Sequence, residues 1–194
     1  VNDATCADIG VTNLTVSHLS VRKTYIHTRS ADLGNRVVCK DLIQTGGVGG
    51  VNGVGKSSFT GVLKERTTDL GAIIDVDKIT ADLGGNALAG GKAAIKKIRE
   101  CIDKGLSFTQ ETTLSGYKTE ATAKEVKELG YCVRLFYVGL DTVDESLQRI
   151  KNRVRRGGHN IPYDDVTRRF EGRWEAVAKV LPYCDEAEFY DNGN

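Results

Sequence analysis

Apolar positions recur with two different periods along this chain, and the switches between the periods predict its elements. VTNLTVSHLSVRKTYIHT (11–28) is rich in β-branched residues in partial alternation, the pattern of one or two strands. IQTGGVGG (43–50) reads as a strand laden with glycine. KSSFTGVLKE then opens a short helix with Phe59, Val62 and Leu63 as its inward stripe. GAIIDVDKI (71–79) has the apolar run of a buried strand. NALAGGKAAIKKIRECIDKG (86–105) carries Ala94, Ile95, Ile98 and Ile102 at helical spacing, with Gly105 as its stop.

The alternation continues downstream. LSFTQETT (106–113) predicts a strand, TEATAKEVKELGY (119–131) a helix ending at Gly130, CVRLFYVGL (132–140) an apolar strand and VDESLQRIKNRVRR (143–156) another helix. After the loop GGHNIP, YDDVTRRFEGRWEAVAKVL (163–181) reads as one helix and EAEFYDN (186–192) as a closing strand. Strands alternating with helices require crossovers, so the expected class is α/β, a mostly parallel sheet with helices on both faces. A chain of 194 residues, 40% hydrophobic, can bury a full core as one domain.

Charge and cysteine usage narrow the partners. Twenty-seven basic residues against 26 acidic ones give a net charge of +1, so no overall field recruits nucleic acid or an anionic membrane, and neither is an expected partner. Any anion site must be local. Cys6, Cys39, Cys101, Cys132 and Cys184 are odd in number and form no C-x-x-C pair, which points away from a disulfide framework or a zinc site and toward a reducing cytoplasm. The opening VNDATCADIGVTNL places aspartates where a signal peptide needs basic residues, and no run of 18 apolar residues occurs, so a soluble cytoplasmic protein is expected.

The densest chemistry lies in GVNGVGKS (50–57), which fits G-x-x-x-x-G-K-[ST]. Such a loop cradles a polyphosphate with backbone N–H groups, extends its lysine to the outer charges and holds magnesium on its hydroxyl. The expected nucleotide-binding set is therefore Gly50, Asn52, Gly53, Val54, Gly55, Lys56, Ser57 and Ser58, with Ser57 on the metal.

In open parallel sheets ligands sit beyond the carboxyl ends of the strands. The strand after the loop is expected to end at Asp77, and the next to run into Glu111, Thr112 and Thr113. In an extended segment Asp75 and Asp77 share a face, one serving as a structural acceptor and the other reaching the site; the competing reading makes Asp77 a helix N-cap. Glu111 has no obvious capping partner. Arg149, Arg153, Arg155, Arg156, Arg168, Arg169 and Arg173 bracket a Gly157-Gly158 hinge, which predicts a lid that brings two of these guanidinium groups over transferring phosphates. His159 reads as a turn residue.

Taken in order, GVNGVGKSSF, IIDVDKI, GLSFTQETTLSG, GYCVRLFYVGL, RVRRGGHNIP, VTRRF and FYDN resemble the zeta-toxin family of P-loop kinases, including its stand-alone members known as UDP-N-acetylglucosamine kinases. The resemblance implies a P-loop kinase-like domain over 47–194, preceded by a β-rich extension, 1–46, that lies outside it. It implies transfer of the γ-phosphoryl of ATP or GTP, with Mg2+, to a hydroxyl of a nucleotide-activated amino sugar. Lys56 would then neutralise the β/γ-phosphates, Asp77 would be the general base, Glu111 and Thr113 would position the substrate, and Arg153 with Arg169 would hold phosphates. Toxin members of the family pair with an antitoxin, a partner the resemblance leaves open. The competing function is a nucleotide-hydrolysing switch or transport-type ATPase.

Overall fold

The computed structural model describes residues 9–16, 19–26, 43–66 and 69–193. In chain order its elements begin β1 (Ile9–Val16), β2 (Leu19–Ile26), β3 (Gln44–Gly49), α1 (Lys56–Arg66), β4 (Ala72–Asp75), α2 (Val76–Asp82) and α3 (Ala87–Asp103). They continue β5 (Phe108–Thr112), α4 (Tyr117–Glu128), β6 (Cys132–Gly139), α5 (Val143–Arg155), α6 (Tyr163–Glu171), α7 (Arg173–Val180), a 3-10 turn (Leu181–Tyr183) and β7 (Glu186–Asp191).

The strands form one sheet in the order β1-β2-β7-β6-β3-β5-β4. The five strands from β7 to β4 are mutually parallel, and β2 joins β7 antiparallel, carrying β1 as a hairpin on the edge. The strands expected within 11–28 thus extend the same sheet as the strands that follow residue 43. Because the chain leaves central β3 first toward β4 and β5 and then returns to β6 on the other side, β3 is where the strand order reverses.

Both faces of the sheet are covered, which is why β6 reads as an unbroken apolar run. Its residues alternate between two cores: Val133, Leu135 and Tyr137 join Ile98, Val126 and Val177 from α3, α4 and α7. Phe136 and Val138 face the other way, against Phe59 of α1 and Phe170 of α6. Helix starts follow from side-chain caps: Asn86 Oδ1 accepts from the Ala89 N–H at 3.0 Å, and Thr142 Oγ1 from the Glu145 N–H at 3.3 Å.

Two expectations are corrected here. The segment 163–181 is two helices, because Gly172 ends α6 and starts α7 while the apolar period carries on through Phe170 and Val177. Cys132 is disulfide-bonded, which the odd cysteine count did not lead us to expect. Cys101 and Cys184 are buried, and burial pushes the Cys184 thiol up to about 12, so it is no nucleophile.

Candidate active site

The carboxyl ends of β3, β4 and β5 open into a cleft of about 380 Å3. Of the residues singled out in the sequence, Asn52, Gly53, Gly55, Lys56, Ser57, Ser58, Asp77, Glu111, Thr113, Arg153 and Arg169 line it. Gly50 and Val54 do not. Val54 is fully buried in the core behind the loop, and a Cβ on Gly50 would stand 2.4 Å from the Val138 carbonyl oxygen. Asp75 and Arg149 also line the cleft.

Gly53 and Gly55 take φ of +78° and +93°, the left-handed region that favours glycine, and so give the loop its curl. Lys56 Nζ donates to the carbonyls of Gly50 and Val51 at 3.0 and 3.1 Å. Burial holds this ammonium below the usual lysine range, and the carboxylates of Asp77, Glu111 and Asp75 work against that shift. The Ser57 hydroxyl donates to Glu111 Oε2 at 2.7 Å, and Glu111 is itself buried at the end of β5.

The two aspartates divide their roles, though not as an extended strand would divide them. β4 stops at Asp75, because Asp75 Oδ1 accepts from the Lys78 N–H at 3.0 Å and caps α2. Asp77 is therefore neither a strand residue nor a cap. It lies exposed in the first turn of α2, lining the cleft.

Beyond β5, Leu114 is buried with φ of +59°, the one non-glycine residue at positive φ among the described residues. Its side chain occupies the space over Gly49, where a Cβ would come within 3.0 Å of Leu114 Cδ1. This buried peg sets the turn that leaves the Thr113 and Ser115 hydroxyls 2.7 Å apart.

Three arginines converge from the facing helices, each held by an oxygen of the protein. Arg153 donates to the His159 carbonyl at 2.8 Å, Arg169 to Asn52 Oδ1 at 2.8 Å, and Arg149 to the Asn192 carbonyl at 2.7 Å. Arg149 was counted in the sequence but not selected. The Gly157-Gly158 pair ends α5: Gly157 takes φ of +84° and the Gly158 N–H donates to the Arg153 carbonyl at 3.0 Å. Ser146 and Asn192 also contact the loop; Asn192 ends the FYDN motif without having been given a role, and no motif in the sequence marks Ser146.

No family model matches this chain. It is 33% identical over 126 residues to an uncharacterized protein of Haemophilus influenzae, an alignment covering 62% of this chain and 88% of that one. Among solved structures, it is similar to a chain of the PezAT chromosomal toxin-antitoxin system of Streptococcus pneumoniae, with a TM-score of 0.60 at 17% identity over 78% of this chain and 69% of that one. It is also similar to a chain of the AvrRxo1-ORF1:-ORF2 complex with ATP, with a TM-score of 0.55 at 16% identity over 73% of this chain and 51% of the other. The chain belongs to the family of the Haemophilus influenzae protein, and its fold is that of the zeta-toxin-like P-loop kinases.

Proposed function

We propose that the chain is a phosphotransferase that moves the γ-phosphoryl group of ATP or GTP to a hydroxyl of a nucleotide-activated amino sugar, such as UDP-N-acetylglucosamine. The observation that supports it is the meeting, at one set of strand ends, of a phosphate loop, an exposed aspartate, a buried glutamate and three arginines. Residues 47–194 form the kinase unit in this reading.

Phosphoryl transfer asks the protein mainly to position groups and neutralise charge. Lys56 leaves the loop carbonyls for the β/γ-phosphates. Arg153 and Arg169 stabilise the charge on the transferring group, joined by Arg149 from the same face of α5. Asp77 accepts the proton of the attacking hydroxyl. Thr113 and Glu111 position the acceptor.

Ser57 Oγ and Glu111 are oxygen donors 2.7 Å apart, which suits a hard cation held chiefly by nucleotide oxygens and water. Magnesium, when bound there, supplies charge neutralisation across the phosphates. Glu111 thereby supports the metal side of the cleft as well as the acceptor side.

The test is nucleotide turnover measured with and without a panel of nucleotide sugars. ADP or GDP release that depends on a nucleotide amino sugar is the expected result. Sugar-independent hydrolysis would instead indicate a switch or transport-type ATPase, and binding without turnover a domain that has lost its chemistry.

A further inference from the structure

We infer that Ser146 and Asn192 are positioning residues that aim the phosphate cradle by holding two of its carbonyls from behind. The inference rests on the nucleotide reading of the loop and names residues that reading does not use. The Ser146 hydroxyl, on α5 and fully buried, donates to the Asn52 carbonyl. Asn192, just past β7, donates from Nδ2 to the Val54 carbonyl at 2.8 Å.

A peptide unit is planar, and in its trans form the C=O and the following N–H point in opposite directions. No cis peptide occurs among the described residues. Drawing the Asn52 and Val54 carbonyls back toward α5 and β7 therefore turns the Gly53 and Gly55 N–H groups the other way. Gly53 and Gly55 line the cleft, so those donors are aimed at an anion before one arrives.

The glycines themselves fit this clamp. A Cβ on Gly53 would stand 2.7 Å from the Ser146 carbonyl oxygen, and one on Gly55 would stand 3.1 Å from Asn192 Nδ2. The loop lies so close to its two holders that side chains at these positions would push it off them. Asn192 is in turn fixed by its own backbone: its N–H donates to the Gly139 carbonyl at 3.0 Å, and its carbonyl accepts from Arg149. Arg149 sits three residues after Ser146 on α5. One rigid unit therefore aims the cradle and an arginine of the cleft together.

The experiment is calorimetric titration of MgATP into the wild-type chain and into Ser146→Ala, Ser146→Thr, Asn192→Ala and Asn192→Asp, with thermal melts of each without nucleotide. Losing one such hydrogen bond weakens binding about tenfold, so both alanine variants bind about tenfold less tightly, while Ser146→Thr, which keeps a hydroxyl, stays near wild type. Asn192→Asp is the decisive variant. It keeps the shape of the side chain but presents only acceptors to the Val54 carbonyl, so it binds more weakly than Asn192→Ala, whereas a packing role would make it the milder change. Ser146 is buried and its alanine variant can fail to fold; half-buried Asn192 keeps the test standing. Wild-type affinity in folded Asn192→Asp overturns the clamp alone. No MgATP binding by the wild-type chain overturns the nucleotide reading and the clamp with it.

Discussion

The two walls of the cleft are built differently. On the wall formed by 50–57, backbone carbonyls are taken up from within and behind: those of Gly50 and Val51 by Lys56, that of Asn52 by Ser146 and that of Val54 by Asn192. The wall formed by the start of α2 and by Thr112 and Thr113 is more open. Asp77 is exposed, and Thr113 bonds only to nearby Ser115 among the contacts described. A preformed wall suits a ligand portion that never varies, the polyphosphate, whereas a wall whose side chains bond only to near neighbours in the chain is where an acceptor can be chosen. In the proposed reaction the first wall would hold the nucleotide and the second would meet the acceptor.

The largest effect should come from the closed wall. Lys56→Ala removes the only cation the loop itself carries, and both nucleotide affinity and turnover should fall, the latter by about 10³-fold or more. Near-normal turnover would reject the assignment of this wall. On the open wall, Asp77→Asn should split the two quantities: nucleotide binding stays intact by calorimetry while the rate drops about 10²-fold or more. A matching loss of nucleotide affinity would mean that the walls are not separable.

How far this division could be read from the sequence depends on the range of the contacts involved. GVNGVGKS was legible because its glycines, lysine and hydroxyl must stand at fixed intervals along one short segment. The apolar run of β6 was legible because a strand covered on both faces needs no alternation. The change from strand to helix after Asp75 was not, since it turns on which of two nearby aspartates captures the Lys78 N–H. Gly172 interrupts a helical period that continues on both sides of it. Ser146 and Asn192 gain their roles from partners 94 and 138 positions away in the chain, a relation that no local pattern carries.

A smaller effect tests the cap that frees Asp77. Asp75→Ala should cost about 1 kcal/mol, the usual value of an N-cap. For a domain of this size that is a fall of about 2–4 °C in Tm. Binding of MgATP should change little, while turnover falls because the first turn of α2 holds Asp77 less firmly. A variant with unaltered turnover and the same lowered Tm would show that Asp77 is placed by something other than this turn.

The smallest effect concerns the strand that feeds the closed wall, and two neighbouring glycines should answer with opposite signs. A Cβ on Gly46 would stand 2.8 Å from Thr109 Oγ1, which is buried and already donates to the Leu70 carbonyl at 2.7 Å, so Gly46→Ala must disturb a satisfied contact and lower Tm. A Cβ on Gly47 meets nothing nearer than Leu135 Cδ1 at 3.7 Å, an ordinary van der Waals distance, beside a hollow of about 40 Å3. Its φ lies outside the left-handed range, so alanine fits without strain. Gly47→Ala should therefore gain about 0.5 kcal/mol by restricting the unfolded chain. If denaturant melts instead show a loss at Gly47, the glycines of β3 are there for the strand's own flexibility and not because Thr109 and Leu114 press against it.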